Sequence, residues 1–340
     1  MVRRILAAAL VLIAAAMLLL AAWPQLVGAQ MLPVVAQVVS LRAIAGGIAV
    51  VLLVVIFLLA VMARPFRRLG ASFAVMLLAF IAVTGAVLAT RGFGDNTGNA
   101  AGDAPDDGIT VLAWNTLGDE PGSRVIADLA LEQAADVLSL PETTEAVAIE
   151  VATIMRDAGR PMWVHHVAFD DVSKARSTSI LTSSDLGMYS VDDTRGNTSV
   201  VPSVIITPDD GTGPTFIAAH PVAPIIGYMD DWSSDLRWMA EACVGEDVIL
   251  AGDLNSTIDH YRGLSTEPTT HLGDCVDAAA ATGDAAVGTW PTGLPALLGS
   301  PIDHVMATEN WQATSFSVIR DLDEAGSDHR PIVAHLVPAG

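Results

Sequence analysis

The first 91 residues of the chain contain no Asp or Glu, although the 340-residue sequence has 38 of them. Charged residues make up only 16% of the whole and hydrophobic residues 52%, a composition that excludes an intrinsically disordered chain. Only two cysteines are present, and Cys and His nowhere have the spacing of a zinc site. No Ser or Cys stands in a nucleophile motif. The sequence therefore argues against zinc chemistry and against covalent catalysis through Ser or Cys.

Basic residues are concentrated where acidic residues are missing. Seven of the 17 are Arg within the first 91 residues, which leaves ten basic against 38 acidic residues after Arg91, a net charge of −28. Such a charge repels polyanions at long range, so nucleic acid is an unfavourable partner for this part of the chain. It is compatible with the binding of divalent cations.

Three uncharged apolar runs occupy the N-terminal third, at about 5–22, 43–62 and 71–90. Each has the ~18–20 residues that a helix needs to cross the ~30 Å hydrocarbon core of a bilayer. We therefore predict a membrane domain with three transmembrane helices over residues 1–91, with the lipid bilayer as partner.

The arginines that flank these runs predict the orientation. The N-terminus and the loop between the second and third runs are rich in Arg, namely Arg3, Arg4, Arg64, Arg67 and Arg68, whereas the loop between the first and second runs has only Arg42. By the positive-inside rule, the N-terminus and the second loop face the cytoplasm. Everything after Arg91 then lies outside the cytoplasm, in a multi-pass protein of the cell membrane.

A cleaved signal peptide is the alternative for the first run, because residues 27–29 resemble a small-residue cleavage site. The run is long for the hydrophobic part of a signal peptide, which favours a retained helix. Cleavage would leave the orientation of the C-terminal part unchanged.

Residues 92–108 are rich in Gly, Asp and Asn and show no periodicity, which predicts a flexible acidic linker. The remainder, 109–340, is long enough for one sizeable core. Short apolar runs alternate there with helical patterns, which predicts a layered α/β domain. The predicted strands are 110–114, 137–140, 179–181, 201–206, 215–219, 248–251, 302–307 and 331–336. The predicted helices are 124–135, capped by Ser123, 145–158, capped by Thr144, and 235–244.

Polar residues stand at the ends of these predicted strands, where side chains can converge on one rim of a sheet. Carboxylate and amide oxygens of Asn115, Glu142 and Asp328 suit Mg²⁺ or Mn²⁺, which bind phosphate. A pair of His329 with Asp303 supplies a base held in one tautomer, and Asp253 and Asn255 can position a water. The inventory is typical of metal-assisted phosphoester chemistry.

Eight sequence blocks, in this order and spacing, resemble the endonuclease/exonuclease/phosphatase superfamily. This superfamily includes pancreatic-type deoxyribonucleases, abasic-site endonucleases, inositol-polyphosphate 5-phosphatases and neutral sphingomyelinases. The blocks are LAWNT (112–116), LSLPET (138–143), STSILTS (177–183), AAHP (218–221), ILAGDLNST (249–257), TWP (289–291), IDHVM (302–306) and GSDHRPI (326–332). The resemblance implies a four-layer α/β sandwich around two central sheets.

The same resemblance implies a role for each matching residue. Glu142 would be the main metal ligand, with Asn115 and Asp328 nearby. Asp253 would orient or activate the attacking water, Asn255 would bind phosphate, and His220 would contact or protonate it. Asp303 would pair with His329, which acts as base or transition-state stabiliser. Which residue deprotonates the water stays open. In one departure from the family, Pro141 stands where a Gln usually precedes the metal-binding Glu.

The layout of three membrane helices before such a domain resembles the actinobacterial membrane phosphatases associated with teicoplanin resistance. That resemblance implies a phosphorylated lipid substrate, such as a polyprenyl pyrophosphate carrier. The alternatives are a phosphodiesterase acting on phospholipid or sphingolipid, a membrane-anchored extracellular nuclease, and a catalytically silent envelope-binding module. The complete motif set argues against the last of these. Nothing in the sequence indicates a protein partner.

Two features have two interpretations each. The apolar segment after His220 contains Ile225, Ile226, Tyr228, Met229 and Trp232, which form either a lip for an acyl or prenyl chain or the packing face of the next helix. Cys243 and Cys275 are either disulfide-bonded or two buried thiols.

Overall fold

The long apolar runs of the N-terminal third form helices. In a computed structural model, which describes residues 2–63, 67–94, 108–170, 172–265 and 269–340, these helices are α1 (Val2–Ala22), α2 (Val35–Ser40), α3 (Arg42–Met62) and α4 (Arg67–Arg91). Among these described residues, three segments are long and apolar enough to cross a membrane, Arg4–Ala22, Arg42–Met62 and Arg67–Arg91, with mean hydropathies of 2.9, 3.2 and 2.4. The three predicted runs are therefore confirmed as candidate membrane spans, while Arg64 lies outside the described residues.

Small residues let α3 and α4 approach closely. A Cβ added to Gly46 would lie 3.2 Å from Thr84 Cγ2, and one added to Gly70 would lie 3.3 Å from Ile56 Cγ2. Such contacts are the main source of helix association in a bilayer, where burial of apolar surface gives no advantage.

The chain divides into two compact units, Met1–Arg91 and Gly92–Gly340. Most of the predicted linker, residues 95–107, lies outside the described residues. Its first residues pair with the backbone of the second unit, since Gly94 N donates to Gly283 O and Ala286 N donates to Gly92 O.

The short apolar runs of the second unit form strands of two six-stranded mixed sheets in the described part of the chain. The first sheet has the order β11-β12-β1-β2-β4-β3 and the second β5-β6-β7-β8-β10-β9. The strands are β1 (Ile109–Ala113), β2 (Val137–Pro141), β3 (Met162–Ala168), β4 (Ser177–Ser183), β5 (Tyr189–Val191), β6 (Val204–Pro208), β7 (Thr215–Ala219), β8 (Val248–Asp253), β9 (Val276–Asp277), β10 (Asp303–Ala307), β11 (Trp311–Val318) and β12 (Ile332–Pro338).

The two sheets pack face to face with helices outside them, which confirms the predicted four-layer α/β sandwich. Ser139 on β2 even donates a hydrogen bond to Ala251 O on β8 of the other sheet, at 2.7 Å. The helices are α5 (Gly122–Glu132), α6 (Glu145–Asp157), α7 (Met229–Ala242) and α8 (Ala278–Thr282). Leu112, Leu138 and Leu181 of the first sheet form one buried cluster with the apolar faces of α5 and α6.

The predicted caps have different outcomes. Thr144 caps α6 as predicted, since Val147 N donates to its Oγ1 at 3.4 Å. The predicted Ser123 cap is wrong, because α5 starts at Gly122 and Ser123 Oγ donates to Glu150 instead. The first turn of α7 lies six residues before the predicted start and contains Asp230 and Asp231, which suit the positive end of a helix.

Cys243 and Cys275 are joined by a disulfide that closes a 32-residue separation in the sequence. The disulfide alternative is therefore the correct one. It ties the end of α7 to the loop before β9.

Replacing both cysteines by Ser should lower the free energy of unfolding by about 3–4 kcal/mol, because the unfolded chain regains the entropy that this loop closure removes. Urea unfolding followed by tryptophan fluorescence measures the change. Dithiothreitol should destabilise the wild type by a similar amount and leave the double variant unchanged. Equal unfolding midpoints of wild type and variant without reductant would contradict the prediction.

Candidate active site

The first sheet brings four predicted site residues to one edge. Strands β1 and β2 are parallel, so Asn115 and Glu142, which follow them, emerge at the same end. Strand β12 is antiparallel to β1, so Asp328 and His329, which precede it, emerge there too. The arrangement follows directly from strand direction.

The second sheet brings the other four residues to its matching edge. Strands β7 and β8 are parallel, and β10 is antiparallel to β8 with Asp303 directly opposite Asp253. Gly252 is required here, because a Cβ at this position would lie 2.2 Å from Ala219 O and its φ is +144°. This close approach of β7 and β8 brings His220 beside Asp253 and Asn255.

The two edges meet at a seam between the sheets, and contacts across it join all eight predicted residues. Asn115 Nδ2 donates to Glu142 Oε1 at 3.1 Å and to Asp253 Oδ2 at 3.0 Å. His329 Nδ1 is 2.9 Å from Asp303 Oδ2. His220 Nε2 is 3.8 Å from Glu142 Oε1. The predicted metal and catalytic residues therefore form one cluster rather than two.

The backbone at the seam is held in an uncommon conformation. Glu142 has φ +57° and Asn255 has φ +45°, which costs on the order of 1–3 kcal/mol for a residue with a side chain. Hydrogen bonds hold Glu142 there: its N donates to Ser177 O at 2.8 Å, and Thr116 Oγ1 donates to its carbonyl at 3.0 Å. The fold thus fixes the direction in which the Glu142 carboxylate leaves β2.

His329 lies between two buried carboxylates. Its Nδ1 faces Asp303, and its Nε2 is 3.7 Å from Asp253 Oδ2. Burial alone would lower the pKa of His329, but the two carboxylates outweigh burial and raise this pKa to about 10. The two carboxylates therefore favour the protonated form of this imidazole.

Asp253 is buried and accepts hydrogen bonds from two amide side chains. Asn115 Nδ2 and Asn255 Nδ2 lie 3.0 and 3.2 Å from its Oδ2, and Asn255 N donates to its Oδ1 at 2.8 Å. Burial raises the pKa of Asp253 to about 7, against the opposing charge of His329. A carboxyl group that titrates near neutrality has the property that a general base needs.

His220 has the opposite character to His329. Burial and the positive charge of His329 lower the pKa of His220 to about 3. Its Nδ1 is 3.4 Å from Thr178 Oγ1. A neutral imidazole at this position favours contact with a phosphate over protonation of it, which were the two roles predicted for His220.

Glu142 and Asp328 have the properties of cation ligands. Burial raises the pKa of Glu142, and the negative charge of Asp328 acts in the same direction although Asn115 and His329 oppose it. Asp328 Oδ2 accepts a hydrogen bond from Trp290 Nε1, whereas its Oδ1 is buried and has no hydrogen-bond partner among the described residues. Two carboxylates that repel one another, one with an unsatisfied buried oxygen, fit a hard divalent cation.

A second group of possible ligands lies close by. Atoms of Asp253, Asp303 and His329 lie within 4.8 Å of one another, close enough to hold a metal ion. Asp303, however, is already paired with His329 Nδ1. Both oxygens of Asp253 accept hydrogen bonds from Asn115 and Asn255, whereas Asp328 Oδ1 accepts none among the described residues. The oxygens of Glu142 and Asp328, with Asn115, therefore remain our proposal for the cation ligands.

Trp290 is a site residue that the sequence analysis did not identify, although it belongs to the TWP block. Its Nε1 donates to Asp328 Oδ2 at 2.9 Å and so fixes that carboxylate. Ser327 acts in a similar way, since its Oγ donates to Asn115 O at 2.6 Å and accepts from His329 N at 3.0 Å.

Trp290→Phe should weaken Mg²⁺ binding about tenfold, because a ligand that loses its outer hydrogen bond is less well oriented. Isothermal titration with Mg²⁺ measures the change. Trp311→Phe is the matched control, since Trp311 Nε1 donates to Asp247 at the other end of the strands, at 2.7 Å. Equal Mg²⁺ affinities for the two variants would show that Trp290 does not orient a ligand.

The fold agrees with those of known proteins. A family model for the Endonuclease/Exonuclease/phosphatase family matches residues 112–329.

The structure of an endonuclease/exonuclease/phosphatase from Beutenbergia cavernae is similar at 20% identity and a TM-score of 0.53, over 69% of this chain and 72% of that one. A family protein from Leptotrichia buccalis is similar at 14% identity and a TM-score of 0.51, over 67% and 99%. TDP2 from D. rerio, complexed with single strand DNA product, is similar at 18% identity and a TM-score of 0.50, over 68% and 99%. At these identities the likeness concerns the fold alone. No curated protein matches the chain.

Proposed function

Since the chain belongs to the endonuclease/exonuclease/phosphatase family, we propose that it is a membrane-anchored, Mg²⁺-dependent phosphohydrolase that acts outside the cytoplasm on a lipid-linked phosphate or pyrophosphate. One observation carries this proposal: a domain of that family shares its chain with three candidate membrane spans. A tether of this kind raises the effective concentration of the domain toward substrates in the same bilayer and toward no others. A polyprenyl pyrophosphate has the required chemistry.

Two features support a position outside the cytoplasm. The arginines around the spans predict a cytoplasmic N-terminus, and an odd number of crossings then places the second unit on the other side. The Cys243–Cys275 disulfide persists in an oxidising compartment and is rare in the cytoplasm.

The charge of the second unit argues against a nuclease, although a member of the fold such as TDP2 from D. rerio is found with a DNA product. Ten basic residues stand against 38 acidic ones after Arg91. Proteins that bind nucleic acid neutralise its phosphates with Lys and Arg. Here the only Lys is Lys174, and it already forms an ion pair with Asp119, with its Nζ 3.3 Å from Asp119 Oδ2.

In the mechanism we propose, Glu142, Asp328 and Asn115 hold the cation. When bound, Mg²⁺ would neutralise the negative charge of the phosphoryl oxygens. The orientation of its ligands comes from this chain, through the hydrogen bond from Asn115 to Glu142 and that from Trp290 to Asp328.

Asp253 acts as the general base. A water oxygen attacks the phosphorus and forms a new P–O bond, while one of its protons passes to the Asp253 carboxylate. The P–O bond to the leaving group breaks, and its electron pair leaves with the leaving oxygen. Asn115 and Asn255 keep Asp253 aimed at the seam, because both amides donate to its Oδ2.

His329 stabilises the transition state in this proposal rather than removing a proton. An imidazole that is already protonated can donate from Nε2 to a phosphoryl oxygen as negative charge develops there. Asp303 holds that ring through Nδ1. Neutral His220 contacts a further phosphoryl oxygen.

The full-length protein in phosphatidylcholine nanodiscs provides the test of function. The substrates are a polyprenyl pyrophosphate, sphingomyelin and plasmid DNA, each with Mg²⁺ and with EDTA. We expect Mg²⁺-dependent release of inorganic phosphate from the prenyl substrate alone, and no release by the Asp253→Asn variant. Phosphocholine from sphingomyelin would replace the proposal with a phosphodiesterase, and nicked plasmid would replace it with a nuclease.

A further inference from the structure

The loop between β7 and α7 starts and ends at the proposed phosphate site. It begins directly after His220, and Asn255 Nδ2 donates to Pro221 O at 3.0 Å. At its other end Trp232 is fully buried and its Nε1 donates to Asn255 O at 3.0 Å. Trp232 is therefore a packing residue, and the part of the lip interpretation that included it is wrong.

The middle of this loop presents apolar side chains to solvent. Ile226 is 97% exposed, Ile225 54% and Tyr228 41%, and no charged residue stands among them. We call residues 225–228 the apolar tip. Backbone hydrogen bonds hold its shape, since Ile225 N donates to Ala223 O at 2.8 Å and Tyr228 N donates to Ile225 O at 3.0 Å. An ordered turn that exposes two adjacent isoleucines is typical of a surface that contacts something apolar.

The apolar tip lies at the same end of the strands as His220. Ile226 follows His220 by six residues, so the two lie within about 20 Å of one another whatever the path of the chain. Met188 and Val244 are also exposed, at 62% and 57%, but they stand at the opposite ends of the strands, before β5 and after α7. The apolar tip is thus exposed at the end of the strands that carries the site, and Met188 and Val244 at the other end provide controls.

We propose that the apolar tip inserts into the acyl-chain region of the bilayer and so brings the seam to phosphates at the membrane surface. This inference rests on the proposed function, because it supplies the contact that a lipid-linked substrate requires. The chain's own candidate spans place a bilayer near the domain, since the second unit starts at the residue after the last span.

Charge favours hydrocarbon over headgroups as the occupant. Asp230 and Asp231 follow the tip after Met229, and the whole second unit carries a net charge of −28, so anionic headgroups repel it. Apolar side chains that enter the boundary between headgroups and acyl chains give a favourable contact that needs no opposite charge.

The first arm of the test measures insertion without reference to activity. Because both cysteines of the chain are in the disulfide, a residue replaced by Cys offers the sole thiol. Ile226→Cys and, as control, Met188→Cys are labelled with the fluorophore NBD in the full-length protein. Each is placed in phosphatidylcholine nanodiscs at one copy per disc, so that a second copy cannot cover the tip.

Nitroxide groups on the acyl chains should quench the label at position 226 at least twofold more than the label at position 188. Equal quenching at the two positions would overturn the inference. That result would be independent of whether the prenyl substrate is hydrolysed.

The second arm measures turnover of the Ile225→Ser/Ile226→Ser variant. We expect kcat/KM on a polyprenyl pyrophosphate in nanodiscs to fall about tenfold, with hydrolysis of the water-soluble monoester p-nitrophenyl phosphate unchanged. Met188→Ser/Val244→Ser should change neither. Equal loss on both substrates would show that the tip shapes the site and does not contact lipid. If the wild type hydrolyses only the soluble substrate, the proposed function fails while the quenching arm still decides the inference.

Discussion

Asp253→Asn is expected to lower kcat/KM by about 10³-fold, because the amide cannot take the proton from the attacking water. The variant keeps the volume of the side chain and its place opposite Asp303, so folding should be retained. Steady-state hydrolysis of p-nitrophenyl phosphate, a soluble monoester, at saturating Mg²⁺ measures the loss without reference to the lipid.

Asp277→Asn is the matched control for this change. Asp277 is also buried in the second sheet, and its Oδ2 lies 2.5 Å from Nδ1 of His304. This pair is of the same kind as Asp303 with His329, but its other hydrogen bonds go to Ala280 N and Ser256 O. Burial alone would lower the pKa of His304, but Asp277, together with Ser256 and Asp303, outweighs burial and raises this pKa. The control should therefore lose stability and keep kcat/KM within about threefold. Turnover by Asp253→Asn above a tenth of the wild-type rate would refute the assignment of the base.

Glu142→Gln is expected to lower activity by at least about 10²-fold at low Mg²⁺, since a neutral amide is a much weaker ligand for a hard cation. Removal of divalent ions with EDTA should abolish activity in the wild type, and added Mg²⁺ should restore it. Raising the Mg²⁺ concentration should recover part of the variant's activity, because the defect lies in binding of the ion.

The control for Glu142 stands three residues along the chain. Glu145 is exposed in the first turn of α6, so Glu145→Gln removes the same charge without touching the seam. It should titrate with Mg²⁺ as the wild type does. An unchanged Mg²⁺ requirement in Glu142→Gln, or full activity in EDTA, would count against the metal site.

Strands that are buried on both faces could be predicted, because they appear in the sequence as continuous apolar runs. Strand β7 has the predicted bounds, β2 and β8 extend one or two residues further at one end, and β1 is shifted by one residue. Strands β3 and β11 were missed because MWVHHVA and WQATSFSV are half-exposed and lack a continuous apolar run. Helix α7 starts earlier than predicted. Trp232 in its first turn is buried, but the neighbouring Asp230 and Asp231 make this stretch of the sequence polar and hide its helical pattern.

The proposed site residues could be found because each stands just after a strand, at its end, or at or before the start of one. Strand direction then brings them together, which the sequence alone does not reveal. The orientation of aromatic residues could not be predicted, because it depends on packing between distant segments. Trp232 and Trp290 illustrate this: one is buried under Asn255 and the other reaches Asp328, 38 positions further along the chain.

The seam between the sheets is complete only after the last strand of the second unit has been synthesised. The first sheet places β1 beside β12, so the first and last strands of the second unit are neighbours, with Ile109 opposite Leu336. Contacts of such long separation in sequence form slowly, and this pairing must wait until the C-terminal strand has left the ribosome. Both His329 and its partner Asp303 arrive with that last portion of the chain. A partly synthesised domain therefore lacks the complete site and is inactive. Until β12 is present, β1 has one side without a hydrogen-bonding partner, and this open edge is accessible to proteases.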